Sequence, residues 1–537
     1  MEFSSAVDQV IQRNLSKLQK PGVLFMRPGY KSRRGRLTQQ PAIVVTVAKK
    51  RKGIPAKDRI PPKVGGYVTD VRQASPMHLL RASNPDLYAE VAAHAPPELQ
   101  RPVFLYERDA TGQLVAPELA EAAAKVAARK PAKTPVKYTA PANEPLDPLT
   151  DQFKITCHAS PDAGWPTLKP FLDATKQRLT VAMYEFTAPY IVQEVVASAK
   201  KKKLALVLDD PSDPTKRDQT NDATHAQLAS VLSAAMTFAW ALEGEDPHAS
   251  GEIYPSAYHI KVIVRDGTAF WLSSGNLNRT NQPDITPLQN PAAAKSVVPG
   301  CDRDWHVIVE NKSLAGVFEA YIQNDLKVAV KYQIAGASSP AVGAALNSLA
   351  VPATSGKGKI PVEYFAPKII NAKMTIQPVL TPDNYQDCLL PLIRSANSTF
   401  VMQTQYINPP KSTPGTDTAT AKSDEVLEAL IASVAELIKE GVEVRLIMSE
   451  FETQDKVELL QERGIPQANI KIQQNVHNKG IVVDSSVVIV GSQNWSAEGV
   501  TTNRDASVII HNAAAAVYWQ GIFDHDWKNM VEAGGSD

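Results

Sequence analysis

A histidine and a lysine two residues apart occur twice in this chain, as His259 and Lys261 in YHIKVIVRDGTAFWLSSGN and as His477 and Lys479 in VHNKGIVVDSSVVIVGSQN. Each pair heads an apolar, β-branched run that ends in an aspartate, Asp266 or Asp484. A second apolar run then leads to Ser273-Ser274-Gly275-Asn276 or to Gly491-Ser492-Gln493-Asn494, at identical intervals. Residues two apart on a strand share a face, so each histidine projects with its lysine while Ile260 enters the core. Serine and asparagine, also two apart, emerge together from the next strand. These residue types suit an anionic ester: imidazoles attack or donate protons, while ammonium, amide and hydroxyl groups hold phosphoryl charge.

The elements that must position these groups are themselves duplicated. A strand LTVAMYEF, a helix from Thr187 with Ile191, Val192, Val195 and Val196 on one face, and a strand LALVLDD make one unit. A strand TFVMQTQYI, a helix capped at Ser423, turned inward through Val426, Leu427, Leu430, Ile431, Val434 and Leu437 and ended by Gly441, and a strand VEVRLIMSE make the other. Strand, helix, strand implies a βαβ crossover in each, so the expected fold class is α/β: two lobes of mixed sheet flanked by helices. Two copies of so long a spacing in equivalent places mean a duplicated unit.

HxK, four residues, Asp, six residues and GSxN is the motif of the phospholipase D superfamily, which residues 150 to 535 resemble. The motif is complete in the second lobe and departs in the first only where Ser273 stands for glycine. The resemblance implies a pseudo-twofold fold whose two HxK strands share one active site. In it, one histidine attacks phosphorus to form a phosphohistidine, the other protonates the leaving alcohol, and Lys261, Lys479, Asn276, Asn494, Ser274 and Ser492 bind the phosphate. Either histidine is the nucleophile in different members, and the choice stays open here with His259 favoured. The phrases RDWHVIVEN and RDASVIIHN place Asp304 and Asp505 where the family keeps an acidic residue that orients a catalytic histidine. Asp266 and Asp484, of opposite strand parity and next to turns, are expected to be structural. Trp271 and Trp495 neighbour the two mouths. No cofactor and no metal is expected; the DHD of Asp524 to Asp526 reads as a helix-end polar group.

The formal net charge is +1, yet residues 1 to 148 carry 24 Lys+Arg against 13 Asp+Glu, a net of +11 that leaves −10 for the rest. A basic part of that kind meets lipid headgroups, nucleic acid or its own acidic neighbour. The expected organisation is a basic α+β domain (1–110), an Ala/Pro/Lys-rich linker (111–148), lobe 1 (149–334), an inter-lobe linker (335–359) and lobe 2 (360–537). Three scattered cysteines without a CxxC pair exclude a thiolate zinc site or disulfide framework. No apolar run spans a bilayer and no signal-peptide core opens the chain, so a cytoplasmic location is expected. The chemistry fits a phospholipid headgroup substrate, favoured over nucleic acid; the basic domain would contact a membrane or a nucleic acid. A nuclease of the same chemistry is the alternative, and a catalytically dead scaffold is disfavoured because both histidines, both lysines and both asparagines are present. The sequence sets neither the acceptor, water or alcohol, nor the oligomeric state.

Overall fold

The computed structural model describes residues 3–33, 36–50, 54–74, 82, 106–108, 114–115, 138–209, 218–241, 254, 257–332, 363–410, 418–449, 452, 454–529 and 531–532. The first six strands form one sheet: β1 (Val23–Arg33), β2 (Arg36–Val47), β3 (Lys63–Val64), β4 (Tyr67–Gln73), β5 (Tyr106–Arg108) and β6 (Leu114–Val115). The helix Phe3–Arg13 lays Val7 and Ile11 on it, against Met26, Ile43 and Val45. Since β6 pairs with β5 in a hairpin, this domain reaches past the expected end at residue 110.

The remaining strands belong to a single fifteen-stranded sheet. Lobe 1 supplies β7 (Leu149–Ser160), β8 (Arg178–Met183), β9 (Lys203–Leu208), β10 (Met236–Trp240), β11 (Lys261–Arg265), β12 (Ala269–Ser273) and β13 (Asp304–Glu310). Lobe 2 supplies β14 (Lys368–Thr381), β15 (Thr399–Thr404), β16 (Glu443–Ser449), β17 (Ile470–Gln473), β18 (Lys479–Val483), β19 (Val487–Gly491), β20 (Asp505–His511) and β21 (Val531–Glu532). The order β10-β9-β8-β11-β12-β13-β7 is mirrored outward from β14 as β14-β20-β19-β18-β15-β16-β17. The pseudo-twofold axis therefore passes between β7 and β14, antiparallel partners from Cys157 opposite Lys368 to Leu149 opposite Ile376.

The crossovers are the α/β units the periodicity implies. The helix Pro189–Ala199 links the parallel pair β8/β9 and buries Ile191, Val192 and Val195; the helix Thr418–Lys439 links β15/β16 and buries Leu427, Leu430, Ile431 and Val434. The second helix begins at Thr418, before the expected cap. Ser423 lies inside it, and its hydroxyl accepts from Thr501 Oγ1 at 2.9 Å. One core joins both lobes: Trp305 stacks on Trp519 across the seam, with Phe318 and Ile322 on one side and Ile522 and Phe523 on the other.

Two expected connectors differ in what can be said of them. Residues 335–359 lie outside the described residues, as do 116–137 of the first linker. Its last residues, 138–148, are mostly exposed but anchored at Tyr138, whose hydroxyl donates to Asp383 at 2.9 Å and whose ring covers Arg504. The basic domain is docked as well. Arg27, buried, pairs with Asp455 and with Glu458 at 2.6 Å, and Arg72 reaches Glu458 at 3.0 Å, all on the lobe 2 helix Gln454–Glu462. Part of its charge thus meets an acidic neighbour in the same chain. Among the described residues no helix is long and apolar enough to cross a membrane.

Candidate active site

In each lobe three antiparallel strands bring their ends to one edge of the sheet. β11 and β18 start at the lysines, β12 and β19 end beside the serines, and β13 and β20 start at Asp304 and Asp505. Backbone bonds then bind each histidine segment to the other lobe. Arg303 N donates to Asn475 O at 2.7 Å and His477 N to Arg303 O at 3.1 Å; on the other side Arg504 N donates to Ala257 O at 2.9 Å.

The result is a crossed pair. His259 of lobe 1 meets Asp505 of lobe 2, Nδ1 to Oδ1 2.7 Å, and His477 of lobe 2 meets Asp304 of lobe 1, Nδ1 to Oδ1 3.1 Å. Each aspartate thus meets the histidine of the other lobe's motif. With Nδ1 turned to a carboxylate, each ring keeps Nε2 for chemistry.

The serines bond the two aspartates. Ser274 Oγ donates to Asp304 Oδ1 at 2.7 Å and accepts from Trp305 N at 3.0 Å, while Ser492 Oγ donates to Asp505 Oδ1 at 2.6 Å and accepts from Ala506 N at 3.1 Å. A hydroxyl has one proton, and here it goes to the carboxylate. Ser274 and Ser492 thus each bond the aspartate that meets a histidine of the other lobe. Asn276 and Asn494 are buried at the mouths; Asn276 Nδ2 donates to Glu185 Oε2 at 3.2 Å. Lys261 Nζ donates to His259 O at 2.6 Å, and Lys479 Nζ to His477 O at 2.5 Å. Lys479 Nζ also lies 3.2 and 3.3 Å from the two ring nitrogens of His477.

Burial pushes His259 well below the ordinary imidazole value, and Lys261, Lys479 and His477 push it further. Burial and Lys479 likewise bring His477 down to about 4, against the pull of Asp304. Each ring thus feels the lysine of the other lobe, as one shared site requires. Burial works against an ionised Asp304, but the His477 ring and its hydrogen bond hold the carboxyl well below the usual range. Burial also lowers Lys261, against the pull of Asp505 and with Lys479 adding to the lowering; an arriving phosphodiester anion would oppose it.

Asp266 and Asp484 lie at the far ends of β11 and β18. Asp266 accepts from the amides of Lys176, Gln177 and Arg178, and Asp484 from those of Asn397, Ser398 and Thr399, at 2.7–3.0 Å. Trp271 and Trp495 are core residues, with Trp495 Nε1 donating to the Tyr385 hydroxyl at 3.1 Å. Among the described residues no group of three or more His, Cys, Asp or Glu is arranged to hold a metal ion.

Two arginines escaped functional reading. Arg303 bonds Asp162 at 2.7 Å within its lobe and Asp526 at 3.1 Å across the seam; Arg504 bonds Asp383 at 2.8 Å within its lobe and Asp325 at 2.7 Å across it. The DHD is thus half of a seam bond, since Asp526 is buried and also accepts from Gln403 at 2.8 Å. The available signal was the repeated Arg-Asp ahead of each last strand: the aspartate holds a histidine and the arginine holds the partner lobe.

A family model described as "Cardiolipin synthase, PLD-like domain" matches residues 168–289 and 389–527. No curated protein matches the chain. Among solved structures it is similar to phosphatidylserine synthase of Haemophilus influenzae Rd KW20, at 12% identity and a TM-score of 0.42 over 70% of this chain and 88% of that one. It is similar also to Nuc of Salmonella typhimurium, a phospholipase D family member, at 21% identity and a TM-score of 0.23 over 30% of this chain and 98% of that one. Polyphosphate kinase of Porphyromonas gingivalis matches at 10% identity and a TM-score of 0.36, over 69% of this chain and 50% of that one. With one domain segment in each lobe and two HxK motifs at one sheet edge, the chain belongs to the phospholipase D superfamily.

Proposed function

We propose that the chain is a metal-independent phosphodiesterase that cleaves or transfers the phosphatidyl group of a phospholipid through a phosphohistidine. The observation that carries the reading is the crossed pair: two imidazoles, each with Nδ1 on a buried carboxylate of the other lobe, beside two buried lysines. His259 Nε2 forms the bond to phosphorus as the bond to the leaving oxygen breaks, and His477 Nε2–H gives that oxygen its proton. His477 then takes a proton from water or an acceptor alcohol, whose oxygen displaces His259. Lys261, Lys479, Asn276 and Asn494 supply the charge and hydrogen bonds that the phosphoryl oxygens require, so no step in this scheme calls for a metal.

A lipid substrate is favoured by the net −10 of residues 149–537, which suits a polyanionic nucleic acid poorly, and by the lipid-synthase description of the matching family. The +11 of residues 1–148 favours the second reading, a nuclease, and under the first it is a surface for anionic headgroups. The test is turnover in EDTA on mixed phospholipid vesicles and on single- and double-stranded DNA, with His259→Asn/His477→Asn as blank. Headgroup release that survives EDTA is the expected result; cleavage of DNA alone would give the nuclease, and loss of turnover on chelation would sink the mechanism.

A further inference from the structure

Glu185 is half-buried just past the end of β8, at the mouth of the lobe 1 motif. Its Oε2 accepts from Asn276 Nδ2 at 3.2 Å and from Asn278 Nδ2 at 2.9 Å, and Leu277 N donates to its backbone oxygen at 2.9 Å. Asn276 is one of the two amides given above to the phosphoryl oxygens, so this carboxylate lies one amide away from the anion. Burial pushes its carboxyl up, as does Asp218, while the Asn278 bond and Lys261 hold it down. A second carboxylate stands at the end of the neighbouring strand β9: Asp209 is buried and accepts from the amide of Tyr258, next to His259. Burial lowers Lys261, and Asp505, Glu185 and Asp209 all pull the other way.

Lobe 2 fills the equivalent places with other groups. Phe186 bridges Leu277 as Ile407 bridges Trp495, so Tyr406 answers to Glu185. Met183 pairs with Leu208 as Thr404 pairs with Met448, so Ser449 answers to Asp209. Lys456 Nζ lies over the Tyr406 ring, 5.3 Å from its centre, and the carboxyl of Glu452 faces that ammonium. At these two places the negative charge stands on the lobe 1 side.

We propose that Glu185 is a specificity-determining residue that admits the single charge of a phosphodiester and rejects the double charge of a phosphomonoester. The inference rests on the proposed function, in which Lys261, Lys479 and Asn276 hold a phosphoryl group. The two lysines attract either anion. The second charge of a monoester, however, meets Glu185 across the Asn276 amide, in a buried place where charges interact more strongly than in water. The same repulsion serves release, because hydrolysis of a phosphodiester splits it into an alcohol and a phosphomonoester, and the monoester is then the species the site holds least well.

The experiment is calorimetric titration of inorganic phosphate into wild type, Glu185→Gln and Glu185→Asp near pH 6, where phosphate is mostly a monoanion, and near pH 8, where it is mostly a dianion. KM on vesicles of equal parts phosphatidylglycerol and phosphatidylethanolamine is measured alongside. Glu185→Gln keeps an acceptor for Asn276 and loses the charge, so it should bind phosphate about tenfold more tightly than wild type near pH 8 and within about twofold of it near pH 6. Its KM for the diester lipids should change by less than about threefold. Glu185→Asp keeps the charge and should stay close to wild type. The sign separates the two roles open to Glu185, since removing a repelling charge tightens binding and loosening Asn276 weakens it. Unchanged, weaker or undetectable phosphate binding by Glu185→Gln near pH 8, or equal tightening in Glu185→Asp, would make Glu185 only a holder of the amide and overturn the proposal. Absence of wild-type turnover on the vesicles would instead overturn the proposed function, and the phosphate titration, which needs no turnover, would still decide the role of Glu185.

Discussion

The two lobes share a frame and differ in its filling. His259 and His477, Lys261 and Lys479, Ser274 and Ser492, Asp304 and Asp505, Arg303 and Arg504 occupy equivalent places and make equivalent bonds. Around them the lobes diverge in compensated sets. Ser273 of lobe 1 bonds His306 Nδ1 at 2.7 Å, where lobe 2 sets Gly491 opposite Ser507. Trp305 lies where any Cβ at Gly480 would be 2.1 Å away, and their counterparts are Ala506 and Val262. The residues held identical are those that reach across the seam or bear on the site, because each half-site needs its partner. Residues that pack locally are free to change as long as their neighbour changes too.

The comparison breaks most sharply at the histidines. Either His259→Asn or His477→Asn should lower turnover of an alkyl phosphodiester by on the order of 10⁴-fold or more, and the double variant hardly further, since the two act as one unit. A p-nitrophenyl ester separates them: His477→Asn should recover much of its phosphoenzyme formation, because the leaving group needs no proton, and His259→Asn none. Crossing the lobes gives the sharper form. Asp505→Asn should behave like the His259 variant and Asp304→Asn like the His477 variant, each with a loss of about 10²- to 10⁴-fold on the alkyl ester. If each aspartate variant instead mimics the histidine of its own lobe in single-turnover kinetics, the crossed pairing is wrong.

Next in size is the seam. Arg504 is fully buried between Asp325 and Asp383, and Arg303 nearly so between Asp162 and Asp526. Removing one arginine leaves two buried carboxylates uncompensated, so Arg504→Met and Arg303→Met should each cost about 3–5 kcal/mol of stability by denaturant unfolding. Equal losses would mean that the seam is as symmetric in energy as in geometry. A loss below about 1 kcal/mol for either would show that its aspartates find other partners.

What the sequence displayed was periodicity and type; what it hid was who faces whom. Two equal motifs and two βαβ patterns made the duplicated α/β fold and the eight histidine, lysine, serine and asparagine positions legible. A motif lists residues along one chain segment, so it gave no sign that Asp304 serves His477 and Asp505 serves His259, a fact of the β7/β14 pairing. For the same reason it did not show what the serines bond: their spacing put them at the mouth, and only the register of β12 with β13 and of β19 with β20 puts their hydroxyls on the carboxylates. Glu185 falls outside the motif altogether, and the sequence offers no periodicity that would single it out.

The smallest effects test whether the fillings are truly paired. Ser273 and His306 form a local set, with His306 Nε2 on Ser160 Oγ at 2.8 Å and burial bringing the ring down to about 4. Ser273→Gly restores the motif glycine but strips a buried ring nitrogen of its partner, at about 1–3 kcal/mol; His306→Ser should cost a similar amount. The double variant, which recreates the lobe 2 pair of glycine and serine, should be less damaging than the sum by about 0.5–3 kcal/mol, as a double-mutant cycle in urea would show. The ring also makes the set sensitive to acid. Its folded pKa lies below the unfolded value near 6.5, so the unfolded chain takes up protons first as pH falls from about 6.5 toward 4 and the folded state loses stability there. The double variant lacks that ring, so the fall in its unfolding midpoint over this window should be shallower than in wild type. Strict additivity with an unchanged acid response would mean that Ser273 is a neutral departure from the motif and not one half of a compensated pair.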